Sequence, residues 1–188
     1  MEPARKRATI EDLLALPDDA RAELIEGAIV HLPPPLPEHG RAQRTIGRYV
    51  GGPFDDDHGR GGPGGWWILP EVEVELAGRI VRPDASGWRR ERLPSPWGMR
   101  PIRVVPDWIC EALSPSNEGH DRVYKANLYA GAGVAFYWIM SPSERVVEAL
   151  ELRDGSWFRL GAWTAGETAR VGPFDAIELD IERLFPPM

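Results

Sequence analysis

The chain alternates between segments with helical spacing of apolar residues and segments with the apolar runs typical of strands. In its first third, the spacing predicts a helix over residues 9–16, a strand over residues 23–32 and a helix over residues 38–50. Gly27 is expected to bend that strand, and the prolines after it are expected to form a stiff connection. The glycine-rich residues 51–65 predict a surface loop.

Strands dominate the pattern in the rest of the chain. Alternation on both sides of Gly78 predicts a hairpin, and residues 106–114 predict a further strand. Residues 134–140 are almost wholly apolar, which suits a strand covered on both faces. A helix is predicted between these two strands, over residues 121–130, whereas residues 86–101 are expected to be irregular. The last residues predict two more strands and a short terminal element.

Length and composition favour one soluble domain. The 188 residues are 43% hydrophobic and 27% charged, which is ordinary for a globular protein. We therefore expect a single α/β or α+β domain over residues 1–188 with a mixed sheet. No apolar run reaches the roughly 18 residues of a membrane span, so no membrane association is expected. The lone Cys110 cannot form an internal disulfide, and no signal peptide is evident, so the expected location is the cytoplasm.

The charge pattern gives two observations about basic residues. The net charge of −7 argues weakly against a general nucleic-acid binder. On the helix predicted over residues 38–50, however, Arg41, Arg44 and Arg48 share one face, which is either a solvated face or a stripe that contacts phosphates. Among the 22 basic residues, only Lys6 and Lys125 are lysines. A lysine well inside the predicted fold is therefore an unusual choice for this chain.

Most familiar catalytic patterns are absent from the sequence. It contains no nucleophile elbow, no phosphate-binding glycine loop and no zinc-ligand spacing of histidines, and Cys110 is expected to be a buried structural thiol. What remains are carboxylates on strands: Asp84 after Pro83, and Glu111 within an apolar strand. A buried carboxylate costs several kcal/mol unless it is paired or binds a metal. Glu111 is accordingly either a metal ligand or the partner of an arginine.

An ordered series of residues resembles a known family. The chain is similar to the Uma-two family of endonucleases, within the PD-(D/E)XK nuclease superfamily, over about residues 8–155. The residues that carry the resemblance are Glu23 to Gly27, His39, Pro83-Asp84, Glu111 to Asn117, Asp121, Lys125, Tyr129, Gly133-Val134 and Tyr137-Trp138-Ile139.

The resemblance implies a fold and an activity. The expected fold is restriction-endonuclease-like, a central mixed β-sheet flanked by helices, and the expected activity is Mg- or Mn-dependent hydrolysis of DNA. Asp84, Glu111 and the carbonyl of Ala112 correspond to the metal ligands. The superfamily's usual lysine position is Leu113 here, and the resemblance implies that Lys125 supplies the amine instead, to assist the attacking water or the transition state. DNA is the implied partner, and a homodimer is compatible with it.

Several of these positions have other interpretations. Lys125 could simply form an ion pair with Asp121 four residues earlier on the predicted helix, worth about 0.2–0.5 kcal/mol. Glu71, Glu23 and His39 match auxiliary positions of the family. Glu71 is a better match to the family pattern than Glu73. Capping or core roles remain open for Glu23 and His39.

Two departures from the family pattern leave other functions open. Phe136 and Ser141 occupy positions where the family often has acidic residues. A module that binds nucleic acid or protein without catalysis is therefore one alternative. A glycosidase using the same pair of carboxylates is another, and it would need no lysine.

Overall fold

The computed structural model describes residues 7–17, 19–55, 62–114 and 119–187. The α-helices are α1 (Ile10–Leu14), α2 (Pro37–Ile46), α3 (Gly52–Asp55) and α4 (Ala126–Ala132). Two π-helical turns (Gly47–Gly51 and His120–Lys125) follow α2 and precede α4, and a 3₁₀ turn covers Ile181–Leu184. The strands are β1 (Ala22–Ile25), β2 (Ala28–His31), β3 (Trp66–Leu69), β4 (Val74–Leu76), β5 (Arg79–Val81), β6 (Ala85–Arg89), β7 (Trp108–Ala112), β8 (Phe136–Ser141), β9 (Val146–Arg153), β10 (Ser156–Thr164), β11 (Thr168–Ala169) and β12 (Leu179–Asp180).

A six-stranded mixed sheet lies at the centre, in the order β10-β9-β8-β7-β6-β3. The β7–β8 pair is parallel, and the other pairs in this sheet are antiparallel. Parallel neighbours need a crossover connection, and the segment that contains α4 provides it. The nearly all-apolar β8 lies between β7 and β9 with five of its six residues buried. The sequence predicts that central position from the lack of polar alternation.

Helices cover both faces of this sheet. Ala42 of α2 packs in the core on one face, together with Trp108 of β7. Tyr129 of α4 packs on the other face, together with Ile109. Because side chains alternate along a strand, Glu111 shares the face of Ile109 and therefore points towards α4.

A second, four-stranded sheet has the order β2-β1-β5-β4. Leu24 of β1 pairs with Ile80 of β5, and both belong to a small core under α1. Thr9 caps α1 through a reciprocal pair of hydrogen bonds with Asp12. Glu23 of β1 contacts the backbone of Arg82, which lies between β5 and β6.

The segment predicted as one bent strand over residues 23–32 is instead the hairpin β1–β2. Glu26 and Gly27 both have positive φ, 51° and 80°, and form its tight turn. Such a turn ordinarily selects Asn or Gly at the first position, and glutamate gives no signal for it. The prediction of a single strand is therefore wrong.

The prediction of irregular structure over residues 86–101 is wrong at its start, where β6 forms. Its sequence, ASGWR, lacks the β-branched residues that indicate strands. Tight packing between β3 and β7 explains the small residues, because a Cβ on Gly87 would lie 3.0 Å from side-chain atoms of Ile68 and Trp108. Burial between two strands, not intrinsic propensity, determines this element.

The remaining elements agree with the predicted pattern apart from their ends. The helices predicted over residues 38–50 and 121–130 are present, each with a π-helical turn, and α4 ends at Gly133 in the left-handed conformation (φ 82°). Within the predicted loop over 51–65, the first residues are helical, and residues 56–61 lie outside the described ranges. In the part of the chain that the structure describes, no helix is long and apolar enough to cross a membrane.

Candidate active site

Asp84 and Glu111 meet where β6 begins and β7 ends. Ala85 pairs with Cys110 in the antiparallel register, so the next position sets Asp84 opposite Glu111. The backbone N–H of Ala112 donates to Oδ2 of Asp84 at 2.7 Å and fixes this side chain against β7. Both carboxylates line one cavity of about 210 Å³.

Glu111 is almost completely buried, with 2% of its surface exposed. Its Oε1 accepts hydrogen bonds from Nζ of Lys125 at 3.0 Å and from the hydroxyl of Tyr129 at 2.5 Å. Burial raises the pKa of the Glu111 carboxyl well above its usual range, because the charge of Lys125 only partly offsets the desolvation and the nearby charges of Asp121 and Asp84. An arginine partner, the alternative from the sequence, is not what holds Glu111.

The amine of Lys125 lies within ion-pair distance of three carboxylates. Beyond Glu111, its Nζ lies 3.4 Å from Oδ1 of Asp121 and 3.5 Å from Oε1 of Glu23. Burial alone would lower the pKa of Lys125, but the charges of Glu111, Glu23 and Asp121 outweigh it and raise this pKa well above its usual range. The simple pair with Asp121 exists, yet it is one part of a larger cluster around a protonated amine.

The π-helical turn before α4 explains how Lys125 and Asp121 both reach the sheet. Both residues are buried in that turn. A π-helical turn is wider than an α-helical one, and such turns are frequent at functional sites. The hydroxyl of Tyr137 on β8 donates to the backbone carbonyl of Asp121 at 3.1 Å. This contact ties the turn to the sheet.

The second oxygen of Asp84 is held by α2. Nε2 of His39 lies 2.7 Å from Oδ1 of Asp84, and the amide of Gln43 donates to the same oxygen at 2.8 Å. Burial alone would raise the pKa of Asp84, but His39 and the Ala112 N–H outweigh it and lower this pKa. Burial would likewise lower the pKa of His39, and the hydrogen bond and charge of Asp84 raise it instead.

Glu71 and Glu23 both lie beside this centre. Oε1 of Glu71 accepts hydrogen bonds from Arg21 at 2.5 Å and from Gln43 at 2.7 Å, so Gln43 bridges Glu71 and Asp84. Oε1 of Glu23 accepts the backbone N–H of Arg82 at 2.9 Å.

Glu73, two residues after Glu71, lies outside the site cavity. Glu73 forms ion pairs with Arg82 at 3.0 Å and with Arg100 at 2.9 Å. It is not among the residues that line the site cavity or the neighbouring cavity beside Glu71. The structure therefore brings Glu71, and not Glu73, next to Asp84.

The arginines of α2 and its π-helical extension lie outside the cavity. Arg44 and Arg48 are exposed and Arg41 is half-buried. Within the described ranges, none of the three forms a salt bridge, and Arg48 instead lies over the ring of Tyr49, 5.4 Å from its centroid. These cations stay available to an external anion, on the same helix that presents His39 to Asp84.

The donor set fits a hard cation in chemistry, although it is small. Among the described residues, no group of three or more His, Cys, Asp or Glu side chains could hold a metal ion. Mg²⁺ commonly takes only one or two carboxylates, with water and phosphate oxygens completing its shell, and Asp84 and Glu111 match that number. The β6–β7 register sets Ala112 opposite Pro83, which has no N–H for the Ala112 carbonyl. Two carboxylates and this carbonyl therefore fit a magnesium site.

Two residues that form hydrogen bonds in the site, Gln43 and Tyr129, are not among the site residues predicted from the sequence. Gln43 donates to both Asp84 and Glu71, and no local pattern marks it, because its partners come from distant segments. The hydroxyl of Tyr129 on Glu111 has a detectable signal, since Tyr129 follows Lys125 by four residues and so lies on the same helical face. Three residues of the series that resembles the family, Pro115 to Asn117, lie outside the described ranges.

Comparison with known proteins gives a family and a fold. The Uma2 family, described as "Putative restriction endonuclease", matches residues 10–182. Among curated proteins, no match is found. The chain is similar to a solved structure of "a putative nuclease belonging to DUF820 from Anabaena variabilis", with 20% identity, 94% of this chain and 97% of that chain covered, and a TM-score of 0.74. The predicted central mixed sheet with flanking helices is thereby confirmed.

Proposed function

The chain belongs to the Uma2 family of restriction-endonuclease-like nucleases, and we propose that it is a Mg- or Mn-dependent endonuclease that hydrolyses DNA phosphodiester bonds. The observation that carries the proposal is the meeting of Asp84, Glu111 and Lys125 in one cavity. Carboxylates from neighbouring strands and an amine from the next helix are the groups that this chemistry needs. We propose that residues 1–188 act as a single nuclease domain.

The first part of the mechanism concerns cation binding. Asp84, Glu111 and the Ala112 carbonyl would hold the cation, which supplies Lewis-acid stabilisation of charge on the phosphoryl group. His39 and Gln43 both contact Oδ1 of Asp84, so they orient its carboxylate and leave Oδ2, which accepts one N–H, directed towards β7. These two residues act as positioning residues.

The second part concerns the buried amine. Lys125 is surrounded by three carboxylates and keeps its proton at neutral pH, because their charges raise its pKa. A protonated amine stabilises negative charge on the phosphate and can orient a water, whereas it cannot accept a proton. Within the proposal, Lys125 therefore acts on the transition state.

Arg41, Arg44 and Arg48 are the proposed contacts to the DNA backbone. They follow one another along α2 and its extension, and none is neutralised by a carboxylate within the described ranges. Phosphate contacts of this kind position the nucleic acid without reading its sequence. Their removal is expected to weaken binding in a salt-dependent manner.

A cleavage assay on circular DNA tests the proposal. Supercoiled plasmid and circular single-stranded DNA would be incubated with the wild type, Asp84→Asn and a charge-matched control, Asp154→Asn. Asp154 lies in the β9–β10 turn with φ 49°, a conformation that asparagine adopts readily. We expect cutting by the wild type and the control with Mg²⁺ or Mn²⁺, and a loss of at least ~100-fold in Asp84→Asn.

Two results would contradict the proposal. One is cutting that persists in EDTA, and the other is undiminished cutting by Asp84→Asn. If neither DNA is cut but both cations fail to bind in calorimetric titration while DNA still binds, the chain is a non-catalytic binding module. The observation that favours this second function is that Phe136 and Ser141 occupy positions where the family often has acidic residues.

A further inference from the structure

Three cavities adjoin one another at the carboxylates and beside them. The site cavity shares Leu36 and His39 with a second cavity of about 250 Å³, which extends over Leu113 and Pro142. On its other side it shares Arg21 and Pro35 with a third cavity of about 520 Å³, which extends over Gln43 and Pro70. The shared wall residues place the three cavities side by side, and together they are called the groove.

One wall of this groove is apolar, stiff and exposed. It consists of Pro33, Pro34, Pro35 and Leu36, all exposed, and Leu36 has 55% of its surface accessible. Proline fixes φ, so such a run holds its shape without internal hydrogen bonds. Arg21 fixes the run further, since its guanidinium donates to the carbonyl of Pro33 at 3.1 Å. An exposed apolar wall that faces a charged floor suits a ligand with a flat apolar face beside an anionic group.

The charged groups lie at the bottom of the groove. Glu111 is 2% exposed and Lys125 6% exposed. A phosphodiester must therefore enter the groove to reach them. A duplex carries its phosphates on the outside of a wide cylinder and keeps its bases paired within, so it cannot place a phosphate on the floor and its base on the wall. An unpaired strand can do both, because its bases are free to turn outwards.

We propose that the groove binds an unpaired DNA strand, with a phosphodiester over the carboxylates and a base resting against Leu36 and the proline wall. The inference deepens the proposed nuclease function and rests on it, by naming single-stranded or locally opened DNA as the substrate class. Opening a base pair costs a few kcal/mol, so DNA that is already unpaired is favoured.

Binding measured without divalent metal tests the groove independently of cleavage. Fluorescence anisotropy in EDTA would compare a labelled single strand of about a dozen nucleotides with the same sequence in a duplex. We expect the single strand to bind at least tenfold more tightly. Equal affinities, tighter duplex binding or no binding of either DNA would overturn the inference.

A pair of variants separates the wall from general surface effects. Leu36 is the N-cap residue of α2 and makes no capping hydrogen bond, so serine there favours folding. Leu36→Ser is expected to weaken single-strand binding about fivefold or more. The matched control is Met99→Ser, because Met99 is also an exposed apolar residue, with 47% accessible, and lines none of the three cavities. Equal effects of the two substitutions would contradict the proposed wall.

Cleavage then distinguishes this inference from the function on which it rests. With Mg²⁺, circular single-stranded DNA is expected to be cut at least tenfold faster than relaxed circular duplex. Equal rates would overturn the strand preference and leave the nuclease function intact. Absence of cutting on both DNAs, with the binding preference retained in EDTA, would contradict the nuclease function alone and support the groove.

Discussion

The amine of Lys125 lies 3.0 Å from Oε1 of Glu111, and both side chains are buried. The pair joins the π-helical turn before α4 to β7. Removing Lys125 from this pair is costly, because the buried carboxylates around it are left without compensation. Removing Glu111 is different, because the amine keeps its contacts with Glu23 and Asp121. Lys125 therefore contributes both to stability and to the proposed chemistry.

Lys125→Met is expected to lower cleavage and stability together. Cleavage should fall about 10²–10⁴-fold, the usual contribution of a positioned proton or charge donor. The free energy of unfolding should fall by about 3 kcal/mol at about pH 8, and by less at about pH 5, where Glu111 can take up a proton. Urea denaturation at both pH values measures the difference.

Two further variants serve as controls for Lys125→Met. Arg103→Met removes an exposed cation that pairs with Glu75 and should change stability by less than about 1 kcal/mol. The double variant Lys125→Met with Glu111→Gln should regain part of the lost stability and none of the activity. Strict additivity of the two single effects would contradict a direct coupling between these residues.

Glu111→Gln is expected to stabilise the protein while abolishing cleavage. Burial and neighbouring acids raise the pKa of Glu111 in the folded state. At a pH where this carboxyl is ionised in the unfolded chain, its raised pKa therefore lowers the free energy of unfolding. The cost is absent below about pH 4.5 and grows by about 1.4 kcal/mol for each further pH unit, until the pH has risen through the folded-state pKa. Denaturation at about pH 5 and about pH 8 should show a larger gain at the higher pH.

A surface carboxylate provides the comparison for Glu111→Gln. Glu75→Gln removes a glutamate that pairs with the exposed Arg103, and it should change the free energy of unfolding by less than about 1 kcal/mol. A Glu111→Gln protein less stable than the wild type at about pH 8 would show that the hydrogen bonds from Lys125 and Tyr129 outweigh the desolvation of Glu111. The expected trade of stability for activity is common at catalytic sites.

The sequence could predict those parts of the molecule that depend on local pattern or on an unusual residue. The apolar run of β8 indicates a central strand. Lys125, one of two lysines in the chain, is an unusual residue inside the fold, and it lies in the carboxylate cluster. The hairpin turn at Glu26 could not be predicted, because its φ is imposed by the pairing of β1 with β2. Gln43 likewise bridges two carboxylates that approach it only in the folded chain.

Gly87→Ala is expected to destabilise the sheet through steric overlap. A Cβ at this position would lie 3.0 Å from both Ile68 Cδ1 and Trp108 Cε3, and both neighbours belong to a packed core. Overpacking of this kind costs about 1–3 kcal/mol. Thermal unfolding of the variant measures the loss.

A second glycine provides the opposite expectation. Gly131 lies in α4, and a Cβ there would meet nothing within 4 Å. Gly131→Ala should therefore stabilise the protein by about 0.5–1 kcal/mol, through helix propensity. If both alanine variants changed the melting temperature in the same direction, steric overlap at Gly87 would not be the cause.

His39 is expected to make stability depend on pH near neutrality. Its hydrogen bond to Asp84 raises its pKa in the folded state despite burial, so the protonated form is stabilised by folding. This contribution is complete below about pH 6.5, the unfolded value, and is lost as pH rises through the raised pKa. His39→Gln keeps a donor and removes the titration, so the wild type's advantage over it should shrink between about pH 6 and about pH 9. Urea denaturation across this range measures the advantage, and His31→Gln, which replaces an exposed histidine of β2, is the matched substitution measured beside it. A constant difference between the wild type and His39→Gln would mean that His39 is neutral beside Asp84.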